Sequence, residues 1–133
     1  MPAIIVDHIS KNFGNLKAVN DVSFDIMSGE ILGVAGVDGN GQRELVEALT
    51  GLVPISQGVI RINDVPTNNL NPDSIRKLGV AHIPEDRQRR GLVMDFRVDE
   101  NLVLRGFDKA PYSKYGILSY SKIFKHAVNQ IEN

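Results

Sequence analysis

An α/β fold is predicted by three features in the first half of the chain. Val22, Phe24 and Ile26 alternate with Ser23 and Asp25, the period of a half-buried strand. Ile31-Leu32-Gly33-Val34-Ala35 is a short continuous apolar run, the pattern of a parallel strand buried on both faces. Leu45, Val46, Ala48, Leu49 and Leu52 then recur at helical spacing within Gln42 to Leu52.

The elements follow in order. Ala3 to Ile9 is apolar and rich in β-formers, so it pairs with Val22 to Ile26 in an early antiparallel sheet. Ser28-Gly29-Glu30 is a turn, and the apolar run, the glycine segment Gly36 to Gly41 and the helix from Gln42 make a first βα unit. Gly58 to Asn63 reads as a strand with Ile60 and Ile62 on one face, ending at the turn Asn63-Asp64. Asn71 is placed to cap a helix, with Pro72 at its first position and Asp73 favouring the dipole. Gly79 closes it, and Val80 to Ile83 is expected as another buried strand ended by Pro84. Glu85 to Gly91 reads as a charged loop, Asp99 to Arg105 as a short helix and Gly106 to Gly116 as a surface loop. A last helix from about Ser119 carries Tyr120, Ile123, Phe124, Ala127 and Ile131 on one stripe. That stripe calls for a packing partner, and the abrupt stop at Asn133 reads as a boundary inside a longer protein, with association of the chain expected.

Composition narrows the class. With 133 residues, 42% of them hydrophobic and 23% charged, the chain suits one globular domain or a large piece of one. A net charge of −1 supplies no field toward nucleic acid or anionic lipid. The absence of cysteine removes thiolate metal sites and disulfides and suits a reducing cytosol. No signal peptide is legible, and no apolar run approaches the roughly 20 residues that span a bilayer, so direct membrane insertion is not expected.

Gly36 and Gly41, with four residues between them, after an apolar run and before a helix, have the spacing of a phosphate loop. Glycines let successive N–H groups turn inward, and the helix N-terminus adds partial positive charge. The usual continuation is Lys, which reaches the outer phosphates, then Ser or Thr, whose hydroxyl holds Mg²⁺. Here those positions are Gln42 and Arg43. Gln42 brings no charge, and a charge-assisted bond is roughly twice as strong as a neutral one. Arg43 sets a cation where a dication would sit, and Asp38 and Glu44 add negative charge beside an anionic ligand. The alternative is that the glycines only make a tight strand-to-helix turn. A dinucleotide fingerprint is weaker, because no third glycine completes the pattern after Gly39 and Gly41.

Taken together, Phe13-Gly14, Ala18 to Phe24, Gly29-Glu30-Ile31, the glycine loop, Asp64-Val65 and Val98-Asp99-Glu100-Asn101-Leu102 resemble the opening half of an ABC transporter nucleotide-binding domain. The similarity is to the second, degenerate domain of double-domain ATP-binding proteins serving sugar and nucleoside importers, in Gly33 to Leu52 and Pro84 to Phe96. It implies a truncated P-loop NTPase core with an N-terminal antiparallel β-subdomain. Residues 1–30 would start that subdomain, 31–83 form the P-loop βα core, and 84–133 the coupling loop and the start of a helical subdomain. It implies that Phe13 stacks on adenine, and that Gly36, Val37, Asp38, Gly39, Asn40, Gly41, Gln42, Arg43 and Glu44 form the nucleotide loop. Glu85 stands where the family usually has a glutamine sensing the γ-phosphate and Mg²⁺. Asp86, Arg87, Arg90, Leu92 and Phe96 fall in the surface that meets the membrane subunit.

ATP, held weakly or not at all by the fragment, is the implied ligand, and Mg²⁺ is doubtful. The implied partners are a second nucleotide-binding domain and transmembrane permease subunits, at the inner face of the cell membrane. No LSGGQ-type signature, acidic Walker B strand, catalytic glutamate or switch histidine is present, so this chain alone is not expected to hydrolyse ATP and no residue is assigned as catalytic. His8, His82 and His126 read as surface or sheet histidines. Two other readings stay open: a structural or regulatory domain that holds no nucleotide, with Phe13 a hairpin aromatic and Glu85 to Phe96 a solvated loop, and a nucleic-acid module using Arg87, Arg89 and Arg90. Glu85 and Asp86 adjoin those arginines and no aromatic interleaves them, which weighs against nucleic acid.

Overall fold

The computed structural model describes residues 1–37 and 39–132. They fall into two compact units, Met1–His82 and Ile83–Asn133.

The first unit is built on a long hairpin, β1 (Pro2–Phe13) and β2 (Leu16–Met27), with β3 (Gln57–Ile62) on the other edge of β1 and β4 (Val65–Pro66) outermost. All neighbours are antiparallel. Both hairpin strands run well beyond the segments that alternation marks, because each continues as long as the other offers backbone partners. Asn63 and Asp64 both have positive φ, as a two-residue hairpin turn matching strand twist requires. Asn68 then extends the edge of β3 with its side chain, Oδ1 accepting from Ile60 N at 2.9 Å and Nδ2 donating to Gly58 O at 2.8 Å.

Helix α1 (Gln42–Leu49) lays Leu45 and Ala48 on a core of Val6, Ile9, Val19, Ile60, Ile62 and Ile75. Burying each larger side chain stabilises the unit by about 1.5–3 kcal/mol. Helix α2 (Pro72–Lys77) has six residues, too few to persist alone. Asn71 caps it, accepting from Ser74 N at 2.9 Å, and Ile75 anchors it. Asp73 bonds Lys77 and Arg76, which hold its carboxyl down at about 2.

Two expectations are corrected. Ile31–Ala35 and Val80–Ile83 form no strand; Ile31 is 97% and Ile83 83% exposed. An apolar run becomes a strand only where a second segment joins it in a ladder, and among the described residues neither run belongs to a sheet. β3, read from sequence as part of a βα core, instead joins the N-terminal antiparallel sheet.

In the second unit, α3 (Arg87–Arg90) replaces the expected charged loop, started by Asp86, whose carboxylate accepts from Arg89 N at 3.0 Å. Helix α4 (Val98–Leu102) precedes a small hairpin, β5 (Ser113–Lys114) and β6 (Ile117–Leu118), whose first strand and turn fall in the segment Gly106 to Gly116 expected as surface loop. Tyr115 and Gly116 both have positive φ at its turn. Helix α5 (Tyr120–Glu132) buries Ile123 and Ala127, while Tyr120, Phe124 and Ile131 of the same stripe stay exposed. Among the described residues, no helix is long and apolar enough to cross a membrane.

Midway along the β1–β2 hairpin two non-glycine residues face each other with positive φ, His8 (49°) and Asp21 (53°). Their bonds are reciprocal. His8 N donates to Ser23 Oγ at 2.8 Å, Asp21 N to Ser10 Oγ at 3.0 Å, and His8 Nδ1 meets Asp21 Oδ1 at 2.7 Å. The Asp21 hydrogen bond, then the charges of Asp21 and Asp7, raise the His8 pKa above 6.5. The folded state thus favours imidazolium, so this contribution is complete below the ordinary histidine pKa and fades as pH climbs through the raised value. NMR titration of the His8 ring is expected to give a midpoint above 6.5 that falls in Asp21→Asn. An unmoved midpoint in that variant would show that Asp21 is not the cause.

Candidate functional site

The glycine segment and the hairpin tip belong to the same unit. Gly41, the cap residue of α1, is left-handed (φ 94°, ψ −2°), and its carbonyl accepts the first helical bond, from Leu45 N at 2.9 Å. A Cβ here would run into the Ala18 carbonyl of β2, so the bare backbone seats the helix on the sheet. Upstream, Asn40 N donates to Val37 O at 3.2 Å and Gly39 is also left-handed (φ 82°), in open space. At Gly36 a Cβ would meet the side-chain amide of Gln42, the movable end of a flexible side chain. Gly36, Val37, Gly39 and Asn40 are exposed, Gln42 and Glu44 half-buried and Arg43 exposed. Asp38 lies outside the described residues.

Phe13 ends β1, opposite Leu16 across the Gly14-Asn15 turn. Its ring is half exposed beneath the Lys11 ammonium, 4.8 Å from the centroid. Lys11 Nζ also donates to Pro54 O at 2.7 Å, which fixes the cation there. Lys11 pairs with Val19, next to the Ala18 that abuts Gly41, so the hairpin end carrying Phe13 is the end on which the loop sits. Sequence reasoning passed over Lys11; its only signal was a position two residues before the aromatic, on the same strand face. A separate concavity of about 290 Å³, lined by Ala48, Val53, Ile60, Thr67 and Leu70, lies toward the other end of α1 and includes none of the loop residues.

The structure brings no lysine and no hydroxyl into the loop at positions 42 and 43. Among the described residues, the donors the loop offers phosphate are backbone N–H groups, the amide of Gln42, the Arg43 guanidinium and the start of the helix. Neither Gln42 nor Arg43 carries the hydroxyl or carboxylate oxygen that Mg²⁺ takes as a ligand.

In the second unit, Glu85 is exposed, Asp86 caps α3, and Arg87 and Arg90 lie on that helix. Leu92 is 48%, Met94 67% and Phe96 49% exposed. Sequence reasoning named Leu92 and Phe96 but missed Met94.

Residues 19–133 match the family profile described as ABC transporter. The chain is 46% identical over 125 residues to the nucleoside import ATP-binding protein NupA of Lactococcus lactis subsp. cremoris (strain MG1363), covering 94% of this chain and 24% of that protein. It is 43% identical over 125 residues to the guanosine import ATP-binding protein NupO of Bacillus subtilis (strain 168), covering 93% and 24%. The ribose import ATP-binding protein RbsA of Lactococcus lactis subsp. lactis (strain IL1403) is 39% identical over 98 residues, 74% of this chain and 19% of that one. The chain thus spans about a quarter or less of these relatives' length. Among solved structures, a dimeric bacterial ABC transporter cassette superposes with a TM-score of 0.72 at 22% identity, over 97% of this chain and 56% of that one. A nucleotide-free cassette from an ABC transporter gives 0.71 at 22% identity, over 94% and 46%. These two establish the fold, that of part of an ATP-binding cassette.

Replacing Gly41 tests how far the loop depends on bare backbone. Gly41→Ala combines a left-handed φ with a clash against backbone and is expected to cost about 1–3 kcal/mol of unfolding free energy in urea titration. Wild-type stability in that variant would mean that the loop and helix start can shift freely.

Proposed function

The chain belongs to the ABC transporter family, and from that premise we propose that it is part of the ATP-binding, energy-coupling component of an importer for nucleosides or sugars, carrying a degenerate nucleotide site. The observation that carries the reading is the glycine frame: left-handed Gly39 and Gly41 lead directly into α1, while Gln42 and Arg43 stand where lysine and a hydroxyl would serve phosphate and Mg²⁺. In the whole protein the loop would hold ATP through backbone N–H groups and the Gln42 amide, with Phe13 beside the adenine. When bound, ATP supplies the free energy of a phosphoanhydride bond. This chain's residues would orient it and leave turnover to an intact second nucleotide-binding domain.

The exposed group Leu92, Met94 and Phe96, bordered by Asp86, Arg87 and Arg90, supports a docking surface for permease subunits. The protein would then work on the cytoplasmic face of the membrane, held through those subunits rather than inserted. The names of the relatives, which print nucleoside, guanosine and ribose import, support the substrate class.

The decisive experiment restores the missing groups. Gln42→Lys, Arg43→Ser and Glu44→Thr, combined in the whole ATP-binding protein, are expected to raise nucleotide affinity at this site about tenfold or more, since lysine replaces a neutral bond by a charge-assisted one. Equilibrium binding with Mg²⁺ present and absent reads the result. No gain would defeat the charge argument.

The packing of Gln42 against Gly36 favours a second reading for the chain by itself, a structural domain whose loop is filled by its own side chain. A fluorescent ATP analogue separates the two: saturable quenching that Phe13→Ala weakens supports nucleotide binding, and no quenching at millimolar analogue supports the structural reading.

A further inference from the structure

We propose that Asn101 is a positioning residue whose side-chain amide holds residues 93–97 in the turn that presents Leu92, Met94 and Phe96 to the permease. This rests on the docking reading above.

The carboxamide of Asn101, on α4, faces back onto the segment before its own helix. Oδ1 accepts from Val93 N at 2.9 Å. Nδ2 lies 3.0 Å from Val93 O, 3.2 Å from Phe96 O and 3.1 Å from Arg97 O. Two amide protons therefore serve three carbonyls, and at least one is shared. Binding both the N–H and the C=O of Val93 reproduces what a neighbouring strand would do. It needs a donor and an acceptor on one short planar group. Aspartate has the acceptor without the donors, and glutamine is one methylene too long.

The helix does not need this bonding for its start. Glu100 Oε2 accepts from Arg97 N at 2.8 Å, and Arg97 reaches the buried carboxylate of Asp99 at 2.9 Å. Three of the four Asn101 contacts thus go to the turn, and the fourth goes to the carbonyl of the cap residue Arg97. The turn itself closes by Phe96 N to Val93 O at 3.0 Å. Its backbone groups bond Asn101, while Leu92, Met94 and Phe96 stand exposed, with Asp95 exposed among them. Three exposed apolar side chains on one fixed turn suit a partner better than solvent. Holding it in advance removes the ordering cost of docking.

Three variants test the assignment. Asn101→Leu removes all four bonds. Asn101→Asp keeps the Val93 N–H bond and sets a carboxylate against three carbonyl oxygens. Leu92→Ser with Phe96→Ser removes the apolar group and spares the clamp. Amide exchange of Val93 in this chain is expected to quicken roughly tenfold in Asn101→Leu and to change less in Asn101→Asp. Recovery of permease subunits with the tagged whole ATP-binding protein is expected to fall several-fold in Asn101→Asp and in the double serine variant. If the double variant sheds permease while Asn101→Asp keeps it, the role of Asn101 is overturned and docking stands. Full recovery in the double variant would sink the docking reading itself. Should Asn101→Leu not fold, Asn101→Ser, which leaves the turn its backbone bonds, decides the same two measurements.

Discussion

Hydrogen bonding along both edges of β1 is the constraint from which the first unit is built. β2 occupies one edge and β3 the other, and each strand brings its own apolar face to Val6 and Ile9. Helix α1 then has a surface to lie on, and the glycine loop has a fixed point from which to depart. Without the β1–β3 pairing, Ile60 and Ile62 would have no reason to meet Val6, and the buried cluster around Ile75 would lose its floor. The side chains of Ser10, Ser23 and Asn68 complete the ladder where bulges or strand ends leave backbone groups without regular partners.

The two candidate sites depend on different physics. The glycine loop is defined by backbone: its shape comes from Gly39 and Gly41 in left-handed conformations and from the tight approach of Gly41 to Ala18. Side-chain chemistry can change at positions 42 to 44 without altering that shape, and so a frame can outlast the charges that once suited it. The Leu92–Phe96 turn is held by one backbone bond and, in addition, by the side chain of Asn101, whose amide meets Val93, Phe96 and Arg97.

Much of this was legible in the sequence, for reasons that differ by element. Strand alternation at Val22–Ile26, the turn at Asn63-Asp64 and the cap Asn71-Pro72 are local signals, and local physics decides them. Ile31–Ala35 and Val80–Ile83 carried an equally clear strand pattern and form none, since a strand is a relation between two segments and periodicity describes only one of them. The short α3 hid behind its charges: Asp86 supplies a cap that a run of arginines does not advertise. The Asn101 clamp could not be read at all, because nothing in the order Val98-Asp99-Glu100-Asn101 tells which way an amide will face.

The open run Ile31–Ala35 has a consequence for the molecule in concentrated solution. It holds no charge and no proline, the two devices by which sheet proteins discourage unwanted pairing, and its residues are exposed. Exposed apolar segments of this kind favour pairing between copies at high concentration, and a single lysine among the five residues would act as a gatekeeper.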